Sequence, residues 1–83
     1  MTEEEIKDQV KHILRDVLDN DSVEISRETT ANDYAEWDSL AHINLIMAVE
    51  GQFRIKFSLE ELKTFYTVGN MLDLIQTKTL KVK

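Results

Sequence analysis

Tyr34-Ala35-Glu36-Trp37-Asp38-Ser39-Leu40-Ala41-His42-Ile43-Asn44-Leu45-Ile46-Met47-Ala48-Val49-Glu50 runs from a polar, turn-rich stretch into an apolar one, and Asp38-Ser39 is the joint. Aspartate and serine side chains accept hydrogen bonds from the first amides of a helix, so a helix is expected to start there. Leu40, Ile43, Leu45, Ile46, Met47, Ala48, Val49 and Phe53 surround it with apolar side chains, the pattern of a central, mostly buried helix. Gly51 is expected to loosen its end. A serine at such a start faces unpaired backbone amides and the positive end of the helix dipole, where an attached phosphodiester is electrostatically favoured. Taken alone, Asp38-Ser39-Leu40 is better explained as an N-cap with Leu40 packed inward.

Upstream, Ile6, Val10, Ile13, Leu14, Val17 and Leu18 recur at steps of three and four, which predicts a first helix from about Glu3 to Asp19. Thr2 and Glu5 have capping-box spacing, Glu3 to Glu5 suit the dipole, and Asn20-Asp21-Ser22 supplies a stop. Residues 20–37 hold no helical period and are rich in side chains that bond the local backbone, so a long loop is expected, anchored by Ile25, Tyr34 and Trp37. Downstream, 54–57 reads as an extended connection. Ser58 and Glu61 repeat the capping-box spacing ahead of a short third helix, about Leu59 to Phe65. Thr67 caps a last helix in which Val68, Met71, Leu72 and Ile75 keep the period, up to a basic tail, 78–83, expected to fray. The expected fold is all-α: a four-helix bundle of three longer helices and one short, with the long loop between helices 1 and 2.

With 83 residues the chain is expected to form a single domain spanning 1–83 around one core. There is no cysteine, so any thiol chemistry needs a borrowed thiol. Sixteen acidic against ten basic residues disfavour nucleic acid and anionic membrane as partners, and the acidity is concentrated in residues 1–38, with twelve acids and four bases. The opening Met1 to Glu5 is acidic, without a basic and then apolar leader, and no apolar run reaches membrane-spanning length, so a cytoplasmic protein is expected. One small core accounts for the apolar faces, so a monomer is the default.

The stretch from Tyr34 to Glu50 closely resembles the acyl carrier protein family around its modification site, and the order of helix, long loop, Asp-Ser-Leu and apolar helix resembles that family over nearly the whole chain. The resemblance implies a non-catalytic carrier that presents acyl groups as thioesters on a 4'-phosphopantetheine arm. The arm comes from coenzyme A, and a phosphopantetheinyl transferase attaches it to Ser39. Asp38 and Leu40 are implied at the attachment site, Asp38 positioning Ser39 or the transferase's metal and phosphates, and Leu40 meeting incoming enzymes. Further partners implied are an acyl-loading ligase or synthase and downstream acyl-transfer enzymes, with Ala41, Asn44, Glu36, Trp37, Ile55 and Lys56 as candidate contacts. Ile43, Ile46, Met47, Leu62, Met71, Leu72 and Ile75 are the expected interior against which an acyl chain could fold.

The second helix departs from members serving bacterial fatty-acid synthesis, whose acidic residues dock on basic enzymes. Ala41 and Asn44 stand where acids are usual, and His42 is potentially cationic. Partner docking is therefore expected to rest more on shape and apolar contact than on charge, in a specialised lipid, polyketide or saccharide-modifying pathway. Two alternatives are weighed. An aminoacyl or peptidyl carrier usually has glycines before the motif, where Glu36-Trp37 stand here. An unmodified helical interaction module fits the composition equally well, and only the match around Ser39 sets it aside. Ser39 and His42 make a poor hydrolase pair, because a helical three-residue step does not build the strained turn and oxyanion hole such enzymes use. Asp19-Asn20-Asp21 opens like a calcium loop but continues with Val23, Glu24 and Thr30 at ligand or glycine positions. With two histidines, His12 and His42, no metal site is expected.

Overall fold

The computed structural model describes residues 2–65 and 67–80, and Met1, Tyr66 and 81–83 lie outside the described residues. Among the described residues there are four helices: α1 Glu3–Leu18, α2 Ser39–Phe53, α3 Leu59–Leu62 and α4 Val68–Leu80, with a 3₁₀ turn, Ala31–Asp33, in the long loop. There is no strand among the described residues. α1 packs against both α2 and α4.

The capping chemistry forms as its spacing requires. Thr2 Oγ1 accepts from the Glu5 amide at 3.2 Å while Glu5 Oε1 accepts from the Thr2 amide at 2.8 Å. Ser58 and Glu61 repeat the box at 3.1 and 2.8 Å. The Asn70 amide donates to Thr67 Oγ1 at 3.2 Å ahead of α4. α1 ends at Leu18, where Asp19 turns left-handed (φ 52°) and its N–H meets the carbonyls of Arg15 and Asp16.

α1 buries Ile6, Val10, Leu14 and Leu18, and α4 buries Val68, Met71, Leu72 and Ile75. α2 departs from the expectation of a mostly buried helix: only Ala41, Leu45 and Val49 are buried, while Leu40, Ile43 and Met47 are 68, 54 and 64 % exposed. The cause is material. α3 has four residues and buries none, so no second layer covers the outer side of α2. Gly51 does not end α2. The helix continues to Phe53 and stops at Arg54, which adopts the left-handed conformation (φ 57°) with its N–H on the Glu50 carbonyl. α3 is shorter than expected, ending at Leu62. The tail begins later than expected, because α4 continues through Lys78, whose Nζ lies 2.9 Å from Glu61 Oε1.

The long loop is ordered by three sets of contacts. Val23, Ile25 and Trp37 enter the core beside Thr29, of which Val23 and Thr29 were not among the expected anchors. Tyr34, half-buried, closes on the loop itself: its hydroxyl donates to the Glu24 carbonyl at 2.8 Å and accepts from the Glu24 amide at 3.1 Å. Arg15 Nε donates to the Val23 carbonyl at 2.9 Å, and Arg27 bridges Glu3 (3.0 Å) and Asp73 (2.9 Å), joining loop, α1 and α4. Exposed ion pairs of this kind contribute little to stability, because solvent screens them.

The tightest seam is at the start of α4. The Val68 and Gly69 amides donate to the Thr29 and Arg27 carbonyls at 2.8 and 2.9 Å, which satisfies helix-end donors with loop backbone. A Cβ at Gly69 would sit 2.9 Å from the Arg27 carbonyl oxygen and 3.2 Å from Arg27 Cβ. Gly69→Ala should therefore destabilise the fold by about 1–3 kcal/mol through overpacking, outweighing the ~1 kcal/mol that alanine gains over glycine within a helix. Urea unfolding reads the balance, and a stabilised variant would mean that the seam yields freely.

Candidate functional site

Asp38 lies outside the helix as its N-cap, with backbone angles of −89° and −173°, and its carboxylate Oδ1 accepts from the Ala41 amide at 2.9 Å. This fixes Ser39 as the first residue of α2, exposed to solvent. No hydrogen bond from a described residue engages the Ser39 hydroxyl, nor do the Ser39 and Leu40 amides have partners among the described residues. The position thus combines a free hydroxyl with two outward helix-end donors.

A surface groove adjoins it, lined by Ala31, Trp37, Asp38, Ser39, His42, Ile43 and Phe65. Adjoining it is a smaller, partly enclosed cavity of about 40 Å³ between α2, α4 and the loop, lined by Thr29, Thr30, Ala31, Trp37, His42, Phe65, Thr67, Val68 and Met71. Aromatic rings form the wall. The Trp37 indole Nε1–H donates to His42 Nδ1 at 3.2 Å, Phe65 meets the His42 ring edge-on at 6.4 Å between centroids, and Phe57 meets Phe65 likewise at 5.0 Å. Lys78 lies over the Phe57 ring at 5.9 Å while holding Glu61.

Two groups respond to these surroundings. Burial pushes the His42 imidazole below its usual range, so it is neutral near pH 7 rather than cationic. Glu61, bonded by the Ser58 amide and by Lys78, has its carboxyl held below the usual carboxylate range. A depressed carboxyl pKa contributes to stability above its unfolded value, and this clasp weakens as the pH falls through the folded value.

The expected site residues divide. Glu36, Asn44 and Lys56 are exposed, with Glu36 accepting from Asn20 Nδ2 at 2.9 Å. Trp37, Ala41 and Ile55, expected as surface contacts, are buried: Trp37 and Ala41 turn inward beneath the start of α2, and Ile55 packs into the core after the left-handed turn at Arg54. Of the residues expected to form the interior, Met71, Leu72 and Ile75 are buried and Ile46 and Leu62 half-buried. Ile43 and Met47 belong instead to the outer, uncovered face of α2. The sequence reading has His42 as potentially cationic and as a poor hydrolase partner of Ser39. Its bond with Trp37 crosses the loop–helix junction, and no periodicity signals it.

Residues 8–75 match a family model described as the phosphopantetheine attachment site. The acyl carrier protein of Petrotoga mobilis is 35% identical over 78 residues, covering 94% of this chain and 92% of that protein. That of Buchnera aphidicola is 37% identical over 76 residues, covering 92% and 95%. The solution structure of a holo acyl carrier protein from Geobacter metallireducens superposes with a TM-score of 0.85 at 44% identity, covering 89% of this chain and 85% of that one.

Proposed function

The chain belongs to the acyl carrier protein family, and from that premise we propose that Ser39 is the residue that bears its arm and that the uncovered face of α2 receives its partner enzymes. As a member it is a non-catalytic carrier with phosphopantetheine as its prosthetic group. It works with a phosphopantetheinyl transferase and acyl-handling enzymes, and none of its described helices is long and apolar enough to cross a membrane.

The observation that carries the assignment is the exposed, uncommitted Ser39 hydroxyl at the start of α2. The residues around it suit the group: the Ser39 and Leu40 amides offer donors for a phosphodiester, and the groove toward Ile43 and Phe65 offers an apolar bed for an arm. When bound, the arm supplies the thiol that this cysteine-free chain lacks, and acyl groups ride on it as thioesters. Asp38 holds the first turn of α2, so the hydroxyl is presented in a fixed position.

Leu40, Ile43, Asn44 and Met47 line the exposed side of α2 with no charge among them, and the neutral His42 adds none. This supports docking by apolar fit and a specialised lipid, polyketide or saccharide-modifying pathway, since enzymes that select acidic helices find no such pattern here. Incubating the full chain with coenzyme A and a promiscuous phosphopantetheinyl transferase tests the central assignment. Intact mass should rise by one phosphopantetheinyl group, and fragmentation should locate it on Ser39. A folded protein with no mass gain would overturn it.

A further inference from the structure

Four residues line both the groove at Ser39 and the interior cavity: Ala31, Trp37, His42 and Phe65. The wall between the two spaces is therefore made of these side chains, with His42 central, bonded to Trp37 on one side and flanked by Phe65 on the other. We propose that His42, held by Trp37, is a shutter that keeps cargo carried at Ser39 in the surface groove and out of the interior, a specificity-determining position for acyl length.

Size supports exclusion. A water needs about 10–15 Å³ of such space and a benzene-sized group about 150 Å³, whereas the cavity offers about 40 Å³. Its lining is mixed, with Thr29, Thr30 and Thr67 beside the imidazole and Val68 and Met71 among the apolar side chains, so size rather than polarity excludes an alkyl chain. An acyl chain of six or more carbons, by order of magnitude from those volumes, enters only if the wall moves.

The chemistry of the latch makes it reversible. Nδ1 accepts the indole hydrogen bond only while the imidazole is neutral, and protonation converts it to a donor facing a donor. The charged surroundings are sparse. At the start of its helix the charged group is the N-cap Asp38, whose carboxylate already holds the Ala41 amide, and within α2 it is Glu50, two turns on, which accepts from the Phe57 amide. The loop brings Thr29, Thr30, Ala31 and Trp37, the approach to α4 brings Phe65 and Thr67, and α4 brings Val68 and Met71, none of which carries charge. Lowering the pH thus opens the shutter without a rival titration inside the wall.

The proposal builds on the attachment at Ser39, so its test has one arm that needs no attachment. In the unmodified chain, nuclear magnetic resonance follows His42 and the Trp37 indole N–H from about pH 8 to about pH 5. The indole signal should shift and gain solvent exchange in step with His42, and an indole signal indifferent to His42 would sink the latch. In the second arm the chain is loaded with an octanoyl group, confirmed by mass. Val68 and Met71, which line only the cavity, should keep their signals at about pH 8 and move at about pH 5, and should move at both in His42→Ala. Octanoyl-dependent shifts of Val68 and Met71 in the parent at the higher pH, as large as in His42→Ala, would overturn the shutter, as would their absence in His42→Ala. Failure to load would count against Ser39 as the bearing residue, while the first arm still decides the latch.

Discussion

Ser39→Ala should abolish the mass gain on treatment with coenzyme A and transferase, while the far-ultraviolet circular dichroism and the unfolding midpoint stay close to those of the parent. The loss is complete rather than graded because the reaction needs one oxygen nucleophile, and the other three serines are poorly placed to supply it. Ser58 Oγ is committed as the cap of α3, accepting from the Glu61 amide. Ser26 Oγ is bonded to Glu28 and lies 3.3 Å from Thr29 Oγ1. Ser22 sits in the turn after α1, its amide held by Asn20, with no apolar helix beginning beside it. Stability should be indifferent because the Ser39 hydroxyl makes no bond among the described residues, and the capping of α2 belongs to Asp38. Asp38→Ala is the informative contrast. It should retain the Ser39 hydroxyl but load more slowly, because the first turn that presents it is loosened, and lose about 1 kcal/mol of stability with the cap. A modified Ser39→Ala protein would place the arm elsewhere.

The features readable in the sequence were those fixed by neighbours three or four residues apart. The boxes at Thr2–Glu5 and Ser58–Glu61, the cap at Asp38 and the single-faced period of α1 are local hydrogen-bond and packing patterns, and each appears where its spacing puts it. Features set by distant partners were hidden. Arg54 rather than Gly51 ends α2, Lys78 stays helical while holding Glu61, and Gly69 is small because Arg27, forty-two positions earlier, runs against it. The candidate site divides the same way. Ser39 was legible from the adjoining cap and helix, whereas the wall made by Trp37, His42 and Phe65 joins three segments that only folding brings together.

The other large effect tests the uneven burial of α2, which periodicity could not reveal because apolar residues occupy nearly every position around it. Leu45 is fully buried in the core, and Leu45→Ala should cost about 2–5 kcal/mol. A domain of this size has about 4–12 kcal/mol in total, so the substitution removes a large share of it and shifts the urea midpoint strongly downward. Met47, two positions later on the same helix, projects into solvent, and Met47→Ala should change stability by no more than about 0.5 kcal/mol. Ile43→Ala should behave like Met47→Ala in stability. Both are expected to slow loading by the transferase, because an exposed apolar side chain contributes nothing to the fold until a partner covers it. Equal destabilisation by Leu45→Ala and Met47→Ala would mean that α2 is covered on both sides in solution. Unchanged loading by Ile43→Ala and Met47→Ala would remove that face from the transferase contact.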